Sequence, residues 1–129
     1  MTWNDFRKLK NQKSVKNMKT ASLRSDLVYN EEKVAVKVMM ESETSKEIRI
    51  LFRKGQLMKE HKAGYPITVE ICEGHIEFGV EGEKHSLKSG DLIFLEANVP
   101  HDLLAEEDSI VRLTLSKFDS IERVKKVIE

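Results

Sequence analysis

Four histidines, His61, His75, His85 and His101, and one thiol, Cys72, are the side chains of this 129-residue chain best suited to bind a metal or move a proton near neutral pH. A single cysteine excludes an intrachain disulfide, and a reducing cytoplasm is the expected location. Cys72 has no lysine, arginine or histidine beside it in sequence to favour the thiolate, so it reads as an inert buried thiol. His75 follows a turn at Gly74 and reads as solvent-exposed, whereas His85 shares a strand face with Leu87 and reads as packing. The remaining chemistry is electrostatic. The chain balances 22 basic against 22 acidic residues, yet residues 1–24 hold seven lysines and arginines against Asp5 alone. Such an arm can meet phosphate charge. Its aromatic interleaving is limited to Trp3 and Phe6 and no base-reading motif follows, so no specific nucleic-acid partner is expected. No apolar stretch approaches the length of a membrane span, and no membrane partner is expected. Met18 would itself make a sensible chain start, so residues 1–17 are expected to be dispensable.

Those histidines must be positioned by strands. From Leu27 onward the apolar pattern has period two, the spacing of side chains alternating across a sheet. Val34, Val36, Val38 and Met40 form one such run; Ile48, Ile50 and Phe52 form the next, across a polar loop from Glu41 to Lys46. Ile67, Val69 and Ile71 share a face, Gly74 breaks the run, and Ile76, Phe78 and Val80 resume it. Glu81-Gly82-Glu83 is a tight turn with glycine where positive φ is needed. Lys88 to Asp91 turns again into Leu92 to Leu95, apolar on both faces and so expected to be covered on both. Two further runs, His101 to Ala105 and Ile110 to Leu115, complete the pattern. Ile121, Val124, Val127 and Ile128 then take helical spacing, with Asp119 as N-cap and Glu122 as its capping partner. Short strands regularly divided by turns predict an all-β sandwich or barrel.

Two stretches carry a more specific signal. GQLMKEHKAGYPITVEICEG, from Gly55 to Gly74, resembles the first signature of the cupins, and GDLIFLEANVPH, from Gly90 to His101, resembles the second. Gly55, His61, Gly74, Gly90 and His101 fall on family positions. The resemblance implies a single RmlC-like cupin jelly-roll barrel over residues 25–118, with a basic N-terminal arm over 1–24 and a short C-terminal helix over 119–129. It also implies a homodimer, since small cupins pair through an outer sheet face or an exchanged N-terminal strand.

The departures bear on function. Metal-binding cupins grip one divalent ion with three side chains from the first signature and one from the second. Here the second ligand position is Ala63 and the acidic position is Ile67, leaving His61 and His101. Glu96 and Asn98 stand where the family often shows proline and glycine. Alternation points Glu60 away from His61, and Glu70 away from Ile67, Val69 and Ile71, so neither carboxylate is expected to enter the barrel. Three readings follow. The leading one is a small-molecule-binding barrel whose mouth is lined by His61, His101, Tyr65, Met58 or Leu57, and Phe94 or Phe52, with no certain cofactor. The alternative is a metal-dependent enzyme of oxygenase or isomerase type, its divalent metal held by His61 and His101. Metal-free acid–base chemistry, with His61 as base and Tyr65 as acid, belongs to the enzymatic readings too. A sensor or interaction module is the third.

Overall fold

The structure, a computed structural model, describes residues 17–117 of the chain; the expected C-terminal helix lies outside the described residues. Nine strands follow in order: β1 Ala35–Glu41, β2 Ser45–Phe52, β3 Leu57–His61, β4 Ile67–Glu73, β5 His75–Val80, β6 Glu83–Lys88, β7 Leu92–Leu95, β8 His101–Ala105 and β9 Ser109–Ser116. They form two antiparallel sheets, one ordered β1-β2-β9-β4-β7 and the other β3-β8-β5-β6. The all-β jelly-roll barrel is therefore the fold.

Local chemistry explains the turns. Ser42 closes the β1–β2 loop by accepting the backbone N–H groups of Thr44 and Ser45 on its hydroxyl. Glu81 and Gly82 both have positive φ, 51° and 79°, the pair of values that a two-residue hairpin turn needs to follow the strand twist. Asp91 accepts the Lys88 N–H on its carboxylate, fixing the entry to β7.

Alternation then selects the core. Ile50 and Phe52 of β2, Ile67, Val69 and Ile71 of β4, Ile76 and Phe78 of β5, Leu103 of β8 and Val111 of β9 are buried between the sheets. On β1 the pattern is followed in register but not in burial: Val36 and Val38 pair with Ile50 and Ile48, yet remain 57% and 49% exposed. β1 is the edge strand, flanked by β2 alone within its sheet. On β7 the chain itself covers the inner face alone, and the outer face, expected to meet a partner, is open within the single chain. Ile93 and Leu95 face the core, while Leu92 and Phe94 point outward and are 62% and 55% exposed.

The outer face of the larger sheet carries a feature that period two alone does not show. Arg49 lies within an apolar run and is 3% exposed. Its guanidinium donates to the carbonyls of Leu23, Ser25 and Asp26, at 3.2, 2.7 and 3.1 Å. The segment ahead of β1 is thereby held across the sheet. Arg24 adds an exposed ion pair to Glu73, and Lys19 donates to the Glu41 carbonyl. The part of the basic arm between residues 17 and 24 is thus attached to the barrel at named points.

Candidate functional site

His61 ends β3 and His101 begins β8, and the strand register sets their Cα atoms directly opposite. Their rings lie 4.4 Å apart between centroids, tilted by 58°. On its other side His101 stacks on Phe78, with centroids 5.5 Å apart and planes within 4° of parallel. His101 is 2% exposed whereas His61 is open to solvent, so the pair leads from the surface into the barrel.

Two backbone carbonyls decide the tautomers. His61 Nδ1 lies 2.8 Å from the Lys59 oxygen, and His101 Nδ1 lies 2.9 Å from the Val99 oxygen. A carbonyl only accepts, so each Nδ1 carries the proton, and each neutral ring keeps its lone pair on Nε2. The Nε2 of His101 is buried and has no hydrogen-bond partner among the described residues. An unmatched buried acceptor costs about 1–3 kcal/mol, which a ligand reaching it would recover.

Burial pushes the His101 pKa below its ordinary value of 6.5, and the neighbouring His61 pushes the same way, against the Val99 hydrogen bond and Asp102. The sign follows. An unfolded chain binds a proton near pH 6.5 that folded His101 resists, so this contribution to stability is complete above that pH and lost as pH falls toward the folded value. One such group sets a slope of at most about 1.4 kcal/mol per pH unit. Urea denaturation across this range should show that slope flattened in His101→Gln; an identical slope in both proteins would assign the titration elsewhere.

The connections into these strands hold the pair in place. The N–H of Asn98 donates to the Ala63 carbonyl at 2.7 Å, tying the loop before β8 to the loop after β3. Asn98 occupies the left-handed region at φ 66°, which explains asparagine where the family often has glycine: both tolerate that conformation. Gly74, at φ 103°, permits the close approach of β9; a Cβ there would stand 2.6 Å from the Asp108 carbonyl oxygen.

The other expected site residues fall in different places. Met58 lies on the inner face of β3, opposite Leu103, and packs partly buried against the core. Leu57 points outward, 50% exposed, and Phe52 is sealed in the core. Tyr65 sits 41% exposed in the connection between β3 and β4. Phe94, expected in the pocket, is corrected by the β7 register: Ile93 and Leu95 take the inward positions and Phe94 faces out. His75, expected to be exposed, is half-buried, its Nε2 2.7 Å from the Ser86 hydroxyl. His85 lies opposite Phe78 and near Glu83, at 3.8 Å. Cys72 is half-buried, and burial, reinforced by Glu70, raises its thiol pKa. Arg112 and Arg24 do lie near it, contrary to the reading from its sequence neighbours, but their lowering effect is the smaller. Phe78 and Arg49 carry no motif, and only the three-dimensional packing reveals what they do.

A divalent ion of the kind that metal-binding cupins hold does not fit this donor set. Ala63 packs against the core and Ile67 is buried within it. Glu70 is turned outward onto Arg112 at 3.0 Å, and Glu60 lines a surface hollow with Asp102 and Lys84. Among the described residues no group of three or more His, Cys, Asp or Glu side chains is placed to hold a metal. Tight zinc and non-haem iron sites need at least three such protein ligands.

A two-sheet antiparallel barrel with paired histidines on adjacent strands of one sheet is a small cupin-type jelly roll. The chain belongs to the cupin family: the cupin domain model matches residues 49–117, more than half of its length. Among solved structures it resembles an RmlC-like cupin from Desulfovibrio desulfuricans, 22% identical, over 77% of this chain and 96% of that one, with a TM-score of 0.72. KdgF from a Halomonas species is 19% identical over 80% and 97% of the two chains, with a TM-score of 0.67. An RmlC-like cupin from Shewanella frigidimarina is 19% identical over 83% and 91%, with a TM-score of 0.63. At these identities the likeness concerns the fold. Comparison with curated proteins returns no match. Among the described residues no helix is long and apolar enough to cross a membrane.

Proposed function

We propose that this cupin binds a small molecule at the mouth between His61 and His101, using the two Nε2 atoms as paired acceptors. The observation that carries the reading is the buried, unmatched Nε2 of His101 beside a solvent-open His61. Both rings are preset in the same tautomer by backbone carbonyls, so binding need not reorganise them. Phe78 backs the His101 ring as an apolar wall, and a polar atom set against apolar side chains is the usual make-up of a small-ligand site. The favoured ligand therefore presents N–H or O–H donors, or an electron-pair acceptor, on a small apolar body.

A thermal-shift panel of small amides, hydroxy acids and polyols tests this. At least one member should raise the melting temperature of the wild type, by the stabilisation that mass action gives to a bound native state. The same compound should bind His101→Phe about tenfold or more weakly, since one buried hydrogen bond is lost while ring volume is kept. A panel without effect, or an effect indifferent to His101, would remove the reading.

A further inference from the structure

A row of like charge crosses the outer face of the larger sheet. The strand register sets Lys37 of β1 opposite Arg49 of β2, and Arg49 opposite Arg112 of β9. Side chains directly opposite in this way are close neighbours, and like charges so placed repel. Arg112 is neutralised by Glu70 and Glu47, at 3.0 and 3.1 Å. Lys37 and Arg49 differ: neither has a carboxylate partner among the described residues. Arg49 donates there only to backbone carbonyls, which carry no net charge, and its Nε is buried without a hydrogen-bond partner. An almost wholly buried guanidinium whose charge is uncompensated is costly to a folded chain.

Both cations line one hollow of about 290 Å³ beside the edge strand. Val28, Val36 and Leu51 give it apolar walls, and Asp26 sets one carboxylate against the two positive charges. Val28 and Val36 are 75% and 57% exposed, so open apolar surface adjoins uncompensated positive charge. We infer that this hollow binds a small aliphatic carboxylate, its carboxyl group between Lys37 and Arg49 and its hydrocarbon chain over Val28 and Val36. Guanidinium geometry matches a carboxylate, and the lysine ammonium adds a mobile point charge. A cationic head group on the same chain would be repelled by both. The hollow belongs to the larger sheet and the histidine pair to the smaller one, so this site is independent of the reading above.

The test is a titration of the full isotope-labelled chain with hexanoate, followed by amide NMR. Shift changes should saturate and centre on Val28, Ala35 to Lys37 and Arg49 to Leu51. Butanoate, shorter by two methylenes, should bind about tenfold more weakly, and pentylammonium, with the same alkyl chain and the opposite charge, should not bind. Lys37→Met should weaken hexanoate about fivefold, the upper range for one exposed ion pair. Asp26→Asn, at a left-handed φ of 52° that asparagine tolerates, should tighten it by up to a similar factor. Arg49 is kept intact because it also holds the segment ahead of β1. Absence of saturable shifts at these residues, pentylammonium bound as tightly as hexanoate, or failure of either substitution to move the affinity in the stated direction would each overturn the inference.

Discussion

Phe78→Ala is expected to destabilise the protein by about 3–5 kcal/mol, the range for deleting a buried phenylalanine from a packed core. Phe78 is wholly buried, and its neighbours come from both sheets, which limits how far the site can collapse. The effect should reach the site as well. The ring forms one wall against His101, stacked parallel at 5.5 Å, and its removal frees the imidazole on the side away from His61. Urea denaturation reads the first effect, and nitrogen NMR of the imidazoles reads the second as a loss of the single Nδ1–H tautomer of His101. Phe78→Leu should restore most of the stability without the flat face. A loss below about 1 kcal/mol in Phe78→Ala would show that the position tolerates collapse and that no tight wall stands behind His101.

Arg49→Ala is expected to cost about 2–4 kcal/mol. Three carbonyl oxygens lose a charged donor, each such bond being worth about 1.5–3 kcal/mol, and the sum is reduced because the freed carbonyls of an exposed segment can return to water. Arg49 and Leu51 line one hollow on this sheet together with Asp26 and Val28 of the held segment and Ala35 and Lys37 of β1. Lysine is not a substitute. Its single ammonium lacks the planar fork that reaches Leu23, Ser25 and Asp26 together, so Arg49→Lys should recover less than half of the loss. A shortened chain beginning at Glu31 should show little further loss on Arg49→Ala, because the partners have already gone; full additivity of the two changes would contradict the clamp.

How much of this was legible in the sequence differs from residue to residue. The strands of the core and their inward faces follow from alternation in Ile48 to Phe52, Ile67 to Ile71 and Ile76 to Val80, because burial on one face imposes period two locally. The turns at Glu81-Gly82 and Gly74 follow from residues that tolerate positive φ, again a local property. The two family signatures pointed to His61 and His101, and the register sets that pair face to face. Even their tautomers have a local origin, since each Nδ1 bonds a carbonyl two residues earlier in the chain.

Other features depended on contacts distant in sequence. Alternation divides a strand into two faces without saying how completely either will be covered, so Val36 and Val38 on the edge strand and Phe94 on β7 remain exposed although apolar. The reverse holds for Arg49, a charged residue buried because three carbonyls 23–26 positions earlier fold back onto it. His75 gains cover from Ser86 across a hairpin. The unmatched Nε2 of His101 exists only because Phe78 from β5 closes one side of the ring while the opposing strand brings up His61. Sequence by itself thus determined the strands, turns and the identity of the paired imidazoles, because backbone conformation and one-sided burial act over a few residues. The tertiary structure alone decided which side chains are sealed from water, since desolvation depends on surfaces brought together from across the chain.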